Sequence, residues 1–338
     1  MTASVVRHGH GMSCFLAAPA GPTSASVLVV GAGPAGLAAA LALARQQHTV
    51  LLFGDGVYRN GRARHQVPDH SRPSNFGAAA RDHVLQDYGQ YVSFREVTVV
   101  SVGRTDVPER FTVVDASGAA CHGRKLILAS GVEDVPLPID GYAACFGRVI
   151  VHCLLCNDYP QRTGTSAGVL AVGAFERPTI ALHMARQARR LAAVVTIYTN
   201  GQGALAADLD AAARAAAGLR IDTRPIRRFV FRGDQDQAHG GGVRLEFADG
   251  SPPADEAFLA HAPATRPRGP FAQQLGLATV PPSTVDGDIQ VALPHYETSV
   301  PGVFAVGDNC AAGMKSVAHA MLSGNVAGMG AASQLSML

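Results

Sequence analysis

The apolar positions fall into short unbroken runs, separated by longer stretches with helical spacing. Residues 26–30 (SVLVV) form the first run. A strand covered on both faces has no polar side to alternate with, so the run reads as a buried parallel strand. Helical spacing follows over 34–46, then a second run at 48–53 (HTVLLF). This strand, turn, helix, strand order opens a doubly wound α/β domain. Residues 76–88 predict a helix, and 91–128 alternate apolar and polar positions around a hairpin turn at Asp115 to Gly118. Residues 125–129 (KLILA) are another buried strand. A second βαβ unit follows, with strands at 168–172 (GVLAV) and 193–198 (AVVTIY) around a helix at 178–191. A last strand at 302–306 (GVFAV) leads into an Ala/Gly-rich helix at 317–335.

Composition narrows the class. At ~150 residues per domain, the 338 residues predict two domains. Charged residues make up only 16%, with a net charge of +2. A disordered chain would carry more charge and less apolar content, and a nucleic-acid binder would show a basic stripe. Residues 24–44 are uncharged and long enough to raise the question of a membrane span, but Gly31, Gly33, Pro34 and Gly36 interrupt them. Residues 1–23 predict a mobile extension. Their apolar piece at 15–20 is broken by Pro19 and falls short of the ~7–15 residues of a signal h-region. The expected location is cytoplasmic. The expected organisation is a discontinuous first domain at 24–138 plus 287–338, with 139–286 inserted between linkers at 133–141 and 281–286.

Gly31, Gly33, Pro34, Ala35 and Gly36 form the core of a GAGPAG motif between strand and helix. The first Gly allows a tight turn, the second lets backbone approach a pyrophosphate, and the third lets helix pack on strand. The helix N-terminus adds N–H groups and a positive partial charge. An acid is expected ~20 residues on, for a ribose, and Asp55 is the candidate. The motif alone does not choose between NAD and FAD. Residues 298–308 (TSVPGVFAVGD) make the choice, because a strand ending in Gly307 and Asp308 before a helix resembles the second motif of FAD proteins with two dinucleotide domains. The LASG ending at Gly131 agrees with it.

Among six cysteines, only Cys153 and Cys156 have chemical spacing. A CxxC in an intracellular α/β protein reads as a redox pair. Zinc would need a second pair, which leaves His152 as the one feature keeping a metal open. The isolated Cys14, Cys121, Cys145 and Cys310 read as small buried hydrophobes.

Taken together, GAGPAG, the mid-chain CxxC and the terminal GD resemble the low-molecular-weight thioredoxin reductases over about residues 26–335. The resemblance implies two Rossmann-like, three-layer domains, FAD, a homodimer and an NADPH domain carrying the CxxC. It also assigns Asn60, His65, Lys315, Ser316 and Val317 to the cofactor. The second fingerprint departs from that pattern, reading GAFERP at 173–178, with Phe175 where Gly should admit a pyrophosphate and Pro178 at the helix-packing position. After the next strand, YTNG at 198–201 offers neither the cations of an NADPH site nor the acid of an NAD site. The expectation is a ring crowding the pyrophosphate out and a nicotinamide site lost.

With VYRN at 57–60, HCLLC at 152–156, ALHMAR at 181–186, VTIYTNG at 195–201 and Met314-Lys315, the chain looks like the fungal branch of the gliotoxin- and holomycin-type dithiol oxidases. That resemblance implies oxidation of a small-molecule dithiol, with Cys153 attacked by substrate, Cys156 next to the flavin, and O2 reduced to H2O2. Reductases place an acid after the second Cys. Here Asn157 stands there, leaving Asp158, His152 and His319 as candidate bases. The alternative is an NADPH-dependent thioredoxin or disulfide reductase. No nucleic-acid or membrane partner is expected.

Overall fold

The computed structural model describes residues 22–59, 73–107, 110–154, 164–233, 242–280 and 287–337. The chain enters through β1 (Ser24–Val30), α1 (Pro34–Ala44) and β2 (Val50–Gly54), then α2 (Pro73–Tyr88) and β3 (Val92–Glu96). A meander follows: β4 (Val99–Arg104), β5 (Phe111–Asp115) and the long β6 (Ala120–Leu128). β7 (Val132–Asp134) carries the chain onward to α3 (Tyr142–Cys145) and β8 (Ile150–Val151). The second βαβ series is β9 (Gly164–Leu170), α4 (Pro178–Ala188), β10 (Ala192–Tyr198), α5 (Gly203–Arg214) and β11 (Leu219–Asp222). A second meander comprises β12 (Ile226–Phe231), β13 (Val243–Phe247) and β14 (Ala254–Glu256). β15 (Leu259–Ala260), β16 (Thr265–Pro267), α6 (Phe271–Leu275), β17 (Val303–Ala305) and α7 (Val317–Ser336) complete the chain.

The first sheet is built from both ends of the chain. Its order is β3-β2-β1-β6-β5-β4, with β17 on the far half of β6. β1 pairs in parallel with β2 and β6, and β17 joins β6 in parallel. The C-terminal ends of β1 and β17 therefore lie together, which is where a doubly wound sheet binds its ligand. α1 and α7 pack on the sheet at unusually close range. A Cβ at Gly324 would stand 2.0 Å from the Ala35 carbonyl oxygen, and one at Gly328 2.8 Å from that of Ala39. Small residues four apart on both helices allow this approach, which accounts for the Ala/Gly content of α7.

The second sheet, β11-β10-β9-β15-β8, is parallel throughout. One face carries a core of Val169, Val195, Ile197, Ala181, Ala185 and Leu209, shared with α4 and α5. The other buries Leu170, Tyr198 and Leu259 against Phe229 and Leu245 of the meander. Both units are thus α/β, Rossmann-like and layered. The two pass into each other through β7 and β16, which pair antiparallel. Phe271, Leu275 and Leu277 pack in the first core. The return crossing therefore lies at β16, earlier than the 281–286 stretch that composition indicated, because α6 brings its apolar face back before that stretch begins. Residues 281–286 lie outside the described residues. Among the described residues, no helix is long and apolar enough to cross a membrane.

Candidate functional site

A cavity opens at the C-terminal ends of β1 and β17. It is lined by residues 31–35, 54–59, 129–132 and 306–308, and by Ser316, Val317 and Ala320 at the start of α7. Gly31, Gly33, Pro34, Ala35, Asp55, Gly131, Gly307, Asp308, Ser316 and Val317 are therefore brought together as the sequence implied. Each fingerprint glycine has a distinct physical reason. Gly31 sits at φ +109°, and a Cβ there would come within 2.2 Å of the Ala129 carbonyl oxygen. A Cβ on Gly36 would meet the Gly31 carbonyl oxygen at 1.8 Å, so Gly36 serves helix–strand contact and does not line the cavity. Nothing lies within 4 Å of the Cβ position at Gly33 or Gly131, so both leave open backbone at the cavity wall. A nucleotide pyrophosphate fits such a cradle, at the N-terminus of a helix begun by Pro34.

The charges around the cavity are tied together. Asp55 Oδ2 accepts from Arg268 Nη2 at 2.9 Å, and Asp55 Oδ1 from the Val57 N–H at 3.0 Å. An ionised carboxylate has about four lone-pair sites, so capacity for a ribose hydroxyl remains. Arg59 is held by two carboxylates: Nη2 donates to Asp134 Oδ1 at 2.7 Å and Nη1 to Asp308 Oδ2 at 3.0 Å. Lys315 lies off the cavity wall. Its Nζ donates to Asp288 Oδ1 at 2.9 Å and to the Asp308 carbonyl oxygen at 2.6 Å, so it fixes the backbone of Asp308. Asn60 and His65 lie outside the described residues, as do Cys156, Asn157 and Asp158.

Cys153 is disulfide-bonded and half-buried, directly after β8. Cys121, Cys145 and Cys310 are free and buried, as small hydrophobes should be. Burial pushes the Cys145 thiol up to about 11, so it is protonated and inert at neutral pH. His152 stacks near Phe146 and feels Arg59, Asp134 and Asp308. Burial, then the Arg59 charge, depress its pKa, so it is neutral at pH 7. His152, and Cys153 next to it, thus adjoin the charged rim of the cavity. His319 is placed differently. Its N–H caps α7 through Ser316 Oγ, and its ring faces Tyr296 with Nε2 buried and unpartnered.

The second fingerprint takes another shape. Residues Gly173–Glu176 form a 3-10 turn ahead of α4, and Glu176 Oε1 accepts from the Gly173 N–H at 2.9 Å. Phe175 does not stand in the path of a pyrophosphate, as the sequence suggested. Its ring is buried in the second core, edge-on to His261 at 5.9 Å. The apolar interior draws the ring inward, and the turn closes over it. His261 is fully buried beside the Tyr142 hydroxyl, 2.7 Å from Nδ1. After β10, Asn200 Oδ1 accepts from the Ile226 N–H at 2.7 Å. Sequence reasoning missed Arg59, Asp134, Arg268, Glu176 and His261 as site-shaping residues. VYRN held one signal, but the partners of Arg59 and Arg268 lie far away along the chain.

Comparison with known proteins agrees with this architecture. Residues 25–324 match the family described as pyridine nucleotide-disulphide oxidoreductase. The chain is 44% identical to "Thioredoxin reductase tcpT" of Claviceps purpurea, covering 91% of this chain and 93% of that one. It is 39% identical to "Thioredoxin reductase aclD" of Aspergillus oryzae, covering 91% and 95%. Among solved structures, an oxidoreductase from Agrobacterium tumefaciens superposes with a TM-score of 0.79 at 28% identity, covering 93% and 99%. A chain with this cradle, this dithiol segment and these relatives belongs to the pyridine nucleotide-disulphide oxidoreductases, as a thioredoxin reductase-like flavoprotein with fungal relatives whose cofactor is FAD.

Proposed function

We propose that the chain is an O2-using dithiol oxidase that closes a disulfide in a small-molecule dithiol of the epidithiodiketopiperazine kind. The balance is one dithiol plus O2 giving one cyclic disulfide plus H2O2. The observation that carries this reading is the contrast between the two nucleotide loops. The first leaves open backbone at Gly33, whereas in the second the Phe175 N–H turns back to the Val172 carbonyl oxygen at 3.2 Å and the Glu176 carboxylate lies on the Gly173 N–H. An anionic side chain at that position opposes a pyrophosphate both by occupancy and by charge. YTNG supplies no cation for a 2′-phosphate. An enzyme with no nicotinamide needs another electron acceptor, and O2 is the simplest.

In the proposed chemistry a substrate thiolate attacks Cys153 Sγ. The Cys153–Cys156 bond breaks and Cys156 leaves as thiolate. The second substrate thiolate then attacks the substrate sulfur of the mixed disulfide, expels Cys153 and closes the ring. Two protons leave the substrate. We assign one of them to His152, which is neutral at pH 7 and next in sequence to Cys153. Asn157 cannot do so, because an amide has no basic site near neutrality, and Asp158 and His319 are the other candidates. FAD, when bound by the cradle at Gly31 and Gly33 and by Asp308, would supply the two-electron redox couple between the reduced Cys153–Cys156 pair and O2. Asp308, held by Arg59 and by Lys315 on its carbonyl, is the residue assigned to the ribityl chain.

A homodimer is part of this reading. Met314, Met321, Leu322 and Met329 are exposed on and beside α7 and would be covered by a second copy. A cytoplasmic site is proposed on the three free buried cysteines. The reductase names of the relatives favour a second reading, NADPH-dependent disulfide reduction. One experiment separates the two. Under nitrogen, the flavin absorbance of the pure holoenzyme should bleach with a dithiol such as reduced gliotoxin or holomycin and stay unchanged with NADPH. Readmitted air should yield H2O2 in a 1:1 ratio to disulfide. Bleaching by NADPH, with no O2 consumed across several dithiols, overturns the oxidase.

A further inference from the structure

We propose that Arg59 and Arg268 are positioning residues. They form a two-armed brace that locks both strands linking the two units to the cofactor loop at residues 55–59, and so hold His152 and Cys153 beside the charged rim of the cofactor pocket.

The chain leaves the first unit on β7 and returns on β16. These strands pair only with each other, through Val132 with Pro267, Glu133 with Arg266 and Asp134 with Thr265. A two-stranded ribbon of three residues per strand is marginal by itself. Stiffness between the units must come from side chains that leave the ribbon, and each strand has one such anchor. On β7, Asp134 receives the Arg59 fork, with Nε at 3.1 and 3.2 Å from its two oxygens and Nη2 at 2.7 Å. The remaining Arg59 nitrogen reaches Asp308 of the first unit at 3.0 Å. Just beyond β16, Arg268 donates to Asp55 Oδ2 at 2.9 Å and to the Val57 carbonyl oxygen at 3.0 Å.

Both arms end on residues 55–59, the described part of the connection that follows β2. They run in opposite senses: the loop gives its cation to β7 and its carboxylate to the return strand. The Arg59 and Asp134 side chains are 13% and 12% exposed. A charge pair this buried is screened little by salt, and a planar fork fixes direction as well as distance. By contrast, Glu133 and Arg266 pair within the ribbon, about half exposed, and touch neither unit's core. The brace also meets the chemistry. Arg59, Asp134 and Asp308 are the charges around His152, and Cys153 is the next residue. Loosening the ribbon would therefore shift the dithiol relative to the pocket.

The catalytic consequence rests on the proposed electron path from dithiol to FAD, whereas the orientation does not, so the test reads the two separately. Asp134→Asn weakens the β7 arm at a residue that does not itself line the cavity. Spin labels on exposed sites of each unit, Val100→Cys on β4 and Arg214→Cys on α5 in a Cys14→Ser background, report the inter-unit distance by pulsed electron resonance. The sample is oxidised holoenzyme diluted with unlabelled protein. Asp134→Asn should broaden that distance distribution and slow anaerobic flavin reduction by dithiol about a hundredfold, the scale of a 1 Å misplacement. FAD affinity should change less than about threefold, and Glu133→Gln should leave both readouts unmoved. If Asp134→Asn does not fold, Arg268→Lys, which keeps the charge and loses the fork, should give the same broadening. A folded variant with the wild-type distribution overturns the brace, whatever its rate. If no dithiol reduces the wild-type flavin, the oxidase reading fails, and the distance distribution still decides the brace.

Discussion

The two glycine-started loops of this chain occupy equivalent places in two similar sheets and do opposite things. Both follow a buried parallel strand and precede a helix begun by Pro. At the first, Gly31 adopts φ +109° with Ala129 so close that no side chain fits, and Gly33 faces open space. Both first glycines give their N–H to an internal acceptor, Gly31 to the Phe53 carbonyl oxygen and Gly173 to the Glu176 carboxylate, but at the second loop the middle N–H, that of Phe175, also turns back, to the Val172 carbonyl oxygen. An anion cradle therefore needs more than room for backbone. The donor at its middle position must be left without an internal partner, no carboxylate may sit on the loop, and the side chain at the middle position must neither fill the space nor fold the loop inward.

Substituting the glycines breaks this comparison most sharply. Gly31→Ala combines left-handed strain with overlap on rigid backbone, about 5 kcal/mol together, and should yield flavin-free or insoluble protein. Gly173→Ala meets no neighbour within 4 Å and should cost about 1 kcal/mol, with normal flavin content. Thermal melts and the flavin absorbance of the two purified variants give the answer. If Gly173→Ala also lost FAD, the second loop would have a role in the first site.

Phe175→Ala comes next. Because the ring is core, its removal should destabilise by about 4 kcal/mol in urea unfolding and gain no NADPH binding in calorimetry. A stable variant that binds NADPH would restore the ring as a gate.

His261, packed on Phe175, sets a smaller effect. Burial lowers its pKa to about 4. The unfolded chain titrates it near 6.5, so between those values the unfolded state binds more protons, and stability falls as pH falls. The full drop is about 3 kcal/mol, and His261→Gln should flatten it in unfolding series from pH 7 to pH 4. An unchanged slope would assign the acid sensitivity to other groups.

The smallest change is Glu176→Gln. The pair with Gly173 is exposed and neutralising it should move stability by about 0.5 kcal/mol. Flavin bleaching by NADPH should stay absent, because an amide oxygen still takes the N–H. Bleaching in this variant would show that charge alone kept the nucleotide away.

Much of this was legible along the chain. The buried runs named the parallel strands, and the GAGPAG and GD motifs located six of the cavity residues, Gly31, Gly33, Pro34, Ala35, Gly307 and Asp308. Hydrophobic run, glycine spacing and helix start are local signals, set within a dozen residues. The direction of the Phe175 ring was not local, since it depended on His261 arriving from β15. Nor did composition find the return crossing, because α6 is too short to announce which core it joins. Lys315 read as a charge for the flavin, but Asp288, 27 residues earlier, claims it.

By itself, the sequence determined two Rossmann-like units and a nucleotide cradle, because each rests on short-range periodicity and on glycines that backbone geometry demands; the Cys spacing marked the dithiol, and the resemblance of the GD segment to FAD proteins named the nucleotide. Only the tertiary structure decided what the charges and rings do. It turned Phe175 inward, placed Glu176 on the Gly173 N–H, and spent Arg59 on Asp134 and Asp308 and Arg268 on Asp55. Side-chain pairing is fixed by which carboxylate the fold carries within 3 Å, and chain distances such as the 249 residues between Arg59 and Asp308 leave no local mark of it.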